Sequence, residues 1–101
     1  MSNQPSAPAT TSLPTLSGGR LQAVELVQSI ELPEPRTAVT VRIDGAALLG
    51  ITRSFVDELV LALLVARPGV TLVVTRVNDN TSRIFNERAR AREVADRLLI
   101  D

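Results

Sequence analysis

Val39, Val41 and Ile43 alternate with Thr40 and Arg42, and a period of two in β-branched residues predicts a strand with one buried face over residues 37–44. Gly45 closes it, and a short apolar linker, Ala46 to Ile51, leads to Thr52-Arg53-Ser54. There the period changes. Ser54 supplies a hydroxyl N-cap, Asp57 and Glu58 fall in the first turn, and Leu59 to Ala66 is an unbroken apolar run. Such a cap accepts an orphan backbone N–H, and the acids complement the positive end of the helix dipole. Arg67-Pro68-Gly69 stops the helix, since proline cannot continue the ladder and glycine permits a reversal. Val70 to Val77 is short, β-branched and poor in charge, which predicts a strand covered on both faces. Strand, helix and strand in so few residues form a parallel, right-handed crossover.

On either side of this unit the pattern is less sharp. Upstream, Leu21, Val24, Val27 and Ile30 recur at helical spacing with Ser17 available as a cap, while Val24, Leu26 and Ile30 also share one side of a strand. The Leu, Gln, Ala and Glu content favours helix over residues 20–32. Pro33-Glu34-Pro35 then forces an extended linker. Downstream, Asn78 to Ser82 reads as a loop and capping cluster. Ser82 to Ile100 reads as the longest helix, with Ile84, Phe85, Ala89, Ala91, Val94, Ala95, Leu98 and Leu99 as its apolar stripe. Arg83–Glu87, Arg92–Asp96 and Glu93–Arg97 fall at i,i+4 on its other face, each pair contributing roughly 0.2–0.5 kcal/mol. Met1 to Leu16 is rich in Ser, Thr, Pro and Ala and too poor in large apolar residues to offset the cost of ordering. The expected organisation is a disordered tail over residues 1–18 and one small α/β domain over residues 19–101, a short, mainly parallel sheet with helices packed on it.

Composition narrows the chemistry. The 101 residues suffice for one core, and a formal net charge of zero creates no global field toward nucleic acid or anionic membrane. Cysteine, histidine, lysine, tyrosine and tryptophan are all missing. This removes disulfides, thiolate nucleophiles, Schiff bases, the phosphate-loop lysine and the usual neutral-pH proton shuttle. Carboxylate, hydroxyl, amide and guanidinium remain, so the expectation is a protein without enzymatic activity, cofactor or metal. The polar, proline-rich start has neither the basic beginning nor the apolar core of a signal peptide, and Leu59 to Ala66 is too short to span a bilayer. A cytoplasmic location is expected.

The strand ending in Asp44-Gly45, followed after a gap by Ser54-Phe55-Val56-Asp57-Glu58-Leu59, resembles the shorter STAS-like family related to bacterial anti-sigma-factor antagonists. Thr81-Ser82-Arg83-Ile84-Phe85-Asn86 is similar to the start of the helix after the next STAS strand. The resemblance covers about residues 19–100. It implies a STAS-like fold and regulation by partner switching, in which a kinase that is also the binding partner phosphorylates a serine at the start of the helix. Carried over, the phosphoacceptor is Ser54, with Thr52 as the alternative, and a helix N-terminus does favour an anion. The partner implied is a kinase-type ATPase or an anti-sigma factor. Arg53, Ser54, Phe55, Asp57, Glu58 and Leu61 are the residues expected to meet it.

Each of these features also has a purely structural reading. Ser54 serves equally as an N-cap, and Asp57 and Glu58 either complement the dipole or bind a partner's arginine. The run Leu59 to Ala66 is apolar nearly all round, whereas a helix on one sheet face needs only a stripe. The excess is expected to form a protein-binding or self-association face, a homodimer included. Arg88-Ala89-Arg90-Ala91-Arg92 has acids nearby and no stacking aromatics, which argues for a solvated face and against nucleic acid. Asp79 between Asn78 and Asn80 lacks the other ligands of a calcium loop and reads as turn chemistry. The function classes carried forward are a protein-interaction module, a host or phage regulator that sequesters a bacterial protein, and a nucleic-acid-associated regulator using the Arg-rich C-terminal helix. A nucleotide-binding domain is disfavoured because no glycine-rich phosphate loop is present.

Overall fold

The computed structural model describes residues 9–101. Strands β1 (Ala9–Ser12), β3 (Val39–Asp44), β5 (Val70–Thr75) and β6 (Leu98–Ile100) form a parallel sheet in the order β1-β3-β5-β6. Helices α1 (Arg20–Gln28), α2 (Arg53–Val60) and α3 (Asp79–Ala91) lie in the three crossovers. A separate ribbon pairs β2 (Leu16–Ser17) with β4 (Gly50–Ile51), also in parallel. The strand order always advances in one direction. With one hand for every crossover, all three helices must therefore lie on one face, and α2 does pack between α1 and α3.

The core sits between that helical layer and the inward side of the sheet. Ala9, Val41, Ile43, Val70, Leu72, Val74 and Leu98 supply the sheet side. From α2 and its continuation come Phe55, Val56, Leu59, Val60, Leu63 and Leu64, all fully buried. Their spacing is that of one helical stripe. The expectation that Leu59 to Ala66 forms a binding face is therefore corrected. Leu61 and Ala62 are half-buried, and only Val65 and Ala66 of this run are exposed.

The sheet's other face carries Thr10, Ser12, Thr40, Arg42, Thr71, Val73, Thr75 and Leu99 by alternation from the registered pairs. No helix covers it among the described residues. Strand β5 was expected to be covered on both sides, but it has a helical layer on one side only. Val73 is nevertheless buried, sheltered between its neighbours β3 and β6 rather than by a second layer.

At its amino end the chain departs from the expected tail over residues 1–18. Residues 1–8 lie outside the described residues, but Ala9–Ser12 forms β1, and Leu13 is 1 % exposed in the core. An unpaired edge of β3 recruits this polar segment by backbone hydrogen bonds, which composition does not register. Leu13 N–H continues the ladder, donating to Asp44 O at 2.8 Å. Ser17 does not cap α1. It is buried in β2 with its hydroxyl donating to Pro14 O, and Gly19 precedes the helix at φ 81°.

At its carboxyl end the expected helix from Ser82 to Ile100 is also corrected. Asn78 caps α3, its Oδ1 accepting from Thr81 N–H at 2.8 Å, and the helix stops at Ala91. Glu93 turns left-handed (φ 60°), Val94 N–H donates to Ala89 O at 2.9 Å, and Glu93 N–H donates to Arg90 O at 3.1 Å. This is a Schellman ending built on a glutamate where glycine is usual. Leu98-Leu99-Ile100 then joins the sheet.

Arg97, placed in that return, donates to Leu64 O at 2.6 Å, Val70 O at 2.8 Å and Arg67 O at 3.1 Å. It satisfies carbonyls left where α2 ends in a widened turn over Leu61–Val65, closed by Ala66 N–H to Leu61 O. Beyond that turn Gly69 packs against the backbone of Arg36 and Thr37 too closely for any Cβ. The helix therefore reverses into β5 where the sequence predicts, and glycine is required there for space.

Candidate functional site: the ribbon and the first turns of α2

Thr52, not Ser54, is the N-cap of α2. Its Oγ1 accepts from Phe55 N–H at 3.2 Å and from Gly19 N–H at 3.1 Å, so one hydroxyl ties the starts of α1 and α2 together. Strand β4 sets this position. Gly50 and Ile51 pair with Leu16 and Ser17, and Thr52 N–H donates to Ser17 O at 3.0 Å, so the extended chain ends two residues before Ser54. What the sequence presents as an apolar linker is in part a strand.

The shift of cap divides the expected site residues. Thr52, Arg53 and Ser54 are exposed together at the tip of α2. Arg53 pairs across to Glu87 of α3 at 3.1 Å. Phe55 faces the core at 0 % exposure and Asp57 is 3 % exposed, so neither forms part of a contact surface. Glu58 and Leu61 are half-buried, with Glu58 lying 3.5 Å from Arg20.

Asp57 anchors an arginine cluster instead. Its Oδ2 accepts from Arg92 Nη2 at 2.7 Å and from Arg20 Nη1 at 2.9 Å, and its Oδ1 accepts from Arg92 Nε at 3.1 Å. Hydrogen bonding from Arg92 outweighs the opposing effect of burial, and with help from Arg20 holds the Asp57 carboxyl at about 2. One carboxylate thus links α2 to both flanking helices. The i,i+4 pairs expected within the last helix are replaced by these longer-range contacts. Glu87 pairs with Arg53, Arg92 with Asp57, and residues 93–97 lie beyond α3.

A second ion pair closes the strand ends. Arg76, left-handed at φ 55°, donates through Nε to Asp44 Oδ1 at 3.0 Å, and the same oxygen accepts from Ala46 N–H at 2.9 Å. Asp44 is held below the usual carboxylate range, first by the Arg76 hydrogen bond and then by that backbone N–H. Gly45 beside it is closely covered by Val77 and leaves no room for a Cβ. The Asp44-Gly45 pair therefore has a direct structural use in fixing the turn after β3.

Sequence reasoning missed the ribbon's apolar surface. Leu16, in β2, is 69 % exposed and Leu49, the residue before β4, is 82 % exposed, and Leu49 N–H donates to Thr15 O at 2.8 Å. Both adjoin the exposed Thr52-Arg53-Ser54 tip. A scattered exposed leucine means little, and two close to one ribbon mark a candidate surface. The available signal was Leu48-Leu49-Gly50-Ile51 itself, too apolar for an ordinary loop.

Other arrangements at the strand ends are less promising. Because the strand order does not reverse among the described residues, they contain no topological switch point, where parallel α/β sheets usually open a ligand crevice. A surface concavity along α3 is an open groove lined by Asp79, Ser82, Arg83, Asn86, Glu87 and Arg90. No group of three or more acidic residues is placed to hold a metal ion among the described residues. No helix there is long and apolar enough to cross a membrane. Comparison with family models, with curated proteins and with solved structures returned no match.

Proposed function

We propose that this chain is a non-catalytic, cytoplasmic regulatory module of the anti-sigma-antagonist type, which binds a protein partner through the β2–β4 ribbon and the tip of α2. The observation that carries this reading is the joint exposure of Leu16 and Leu49 beside Thr52, Arg53 and Ser54. Two apolar anchors with a polar rim are the usual anatomy of a protein contact. Ser54 is the better phosphoacceptor of the two hydroxyls. It stands free in the first turn, whereas the Thr52 oxygen already accepts two backbone N–H groups. A phosphate on Ser54 would place about two negative charges beside the leucines and break an apolar contact. The arginines on and after α3 support the same reading, since Arg92 faces Asp57 and Arg97 caps carbonyls rather than extending a basic stripe.

The test is affinity capture from the source cells with the full chain, comparing wild type with Leu49→Asp and Ser54→Asp. Circular dichroism establishes that the variants are folded, as exposed positions should allow. Recovery of one stoichiometric protein, reduced at least tenfold by each variant, is expected. Retention of that protein by both variants refutes the proposed surface. Salt-sensitive capture of nucleic acid with no protein refutes the function.

A further inference from the structure

We propose that Arg88 and Arg92, lying over the second turn of α2, form a receptor for one carboxylate of an acidic side chain on the bound partner. This rests on the protein-binding reading above and supplies the partner's chemistry.

The site is an imbalance of donors and acceptors. Three guanidiniums, those of Arg20, Arg88 and Arg92, surround Asp57 and Glu58. Arg20 and Arg92 already use both Asp57 oxygens. Arg88 is left over. Its Nη1 is 3.8 Å from Asp57 Oδ1, beyond hydrogen-bonding range, and its Nε is buried with no acceptor among the described residues. Buried donors are ordinarily paired, so the Arg88 guanidinium keeps donor capacity that no group among the described residues uses.

Arg88 is also reachable, with 30 % of its side chain exposed, and Arg92 beside it has 38 % exposed. Charge selects the occupant. Three cations against two carboxylates leave one positive charge, which a single carboxylate balances and a phosphate dianion would overfill. A planar fork matches a carboxylate through two parallel N–H donors. The cluster begins one turn along α2 from Ser54, and the Arg53–Glu87 bridge connects the two surfaces. On this proposal an acidic side chain of a partner seated on the ribbon reaches Arg88 past that bridge.

The assay uses the full chain labelled with ¹⁵N and follows the arginine Nε–Hε resonances near pH 6. Sodium acetate is titrated against sodium chloride at equal ionic strength, and sodium sulfate, a tetrahedral dianion at this pH, is titrated in the same way. Acetate should shift the Arg88 resonance saturably, with a midpoint at least tenfold below any response of the exposed Arg83 and Arg90. Arg88→Lys, with its amide spectrum still dispersed, should abolish the acetate response at Arg92. If Arg88 follows ionic strength as Arg90 does, water alone satisfies it and the proposal falls. Tighter binding of sulfate than of acetate overturns the choice of carboxylate. Because no partner is needed, failure here leaves the ribbon surface standing. A normal acetate response with no captured protein refutes the protein-binding reading and the partner as source of the carboxylate, and leaves only the anion site.

Discussion

Replacing Asp57 with asparagine keeps the size of the side chain and removes the charge that ties α2 to α1 and α3. Folding lowers the carboxyl from 3.8 to about 2, which corresponds to about 2 kcal/mol of stability at neutral pH. The group is 3 % exposed, so solvent screening of the carboxylate itself is slight. Its arginine partners are partly hydrated, with 53 % of the Arg20 side chain and 38 % of that of Arg92 exposed. This places the loss below the ~3–5 kcal/mol typical of a fully buried broken pair. The sign follows from the direction of the shift. A carboxyl depressed on folding contributes fully above its unfolded value and loses the contribution as pH falls through its folded one. Urea unfolding followed at 222 nm should therefore give a wild-type minus Asp57→Asn gap of about 2 kcal/mol at pH 7, a midpoint change of roughly 1–2 M. The gap should narrow to about half by pH 3. A gap under ~0.5 kcal/mol at pH 7, within the usual range of a surface substitution, would refute the reasoning. So would a gap of constant size from pH 7 to pH 3.

Two further substitutions test local structure. Thr52→Ala should cost about 0.5–2 kcal/mol by removing the cap shared by Phe55 and Gly19, whereas Ser54→Ala should stay within about 0.5 kcal/mol; thermal melts that reverse this order would restore Ser54 as the cap. Glu93→Gly should stabilise the domain by about 0.5–1 kcal/mol, because relief of the left-handed backbone exceeds the entropy that glycine loses. A lower guanidinium midpoint for that variant would mean that α3 does not end in this way.

The central crossover was legible because its signals are local. Alternation over Val39 to Ile43, the stop at Arg67-Pro68-Gly69 and the apolar run of β5 each act through neighbours a few residues apart. Helix α1 was legible for the same reason, through residue preferences and helical spacing. Strands β1 and β6 were not. Ala9–Ser12 has no pattern of its own and is a strand only because β3 offers an unpaired edge. Leu98–Ile100 continued a plausible helical stripe until Glu93 turned left-handed and sent the chain to β5.

The candidate site divides along the same line. The hydroxyl-bearing tip of α2 could be read from Thr52-Arg53-Ser54, but the choice of cap depended on β4 pairing with β2, more than thirty residues away. Sequence by itself determined the periodicities, the breaks and the absence of histidine, lysine and cysteine, because those are properties of near neighbours and of composition. Only the tertiary structure decided that Asp57 points inward to two helices, that Leu49 comes to lie beside the strand of Leu16, and that Arg88 Nε has no acceptor among the described residues. These depend on which distant groups meet, and an edge strand or a buried ion pair is selected by the partner it finds.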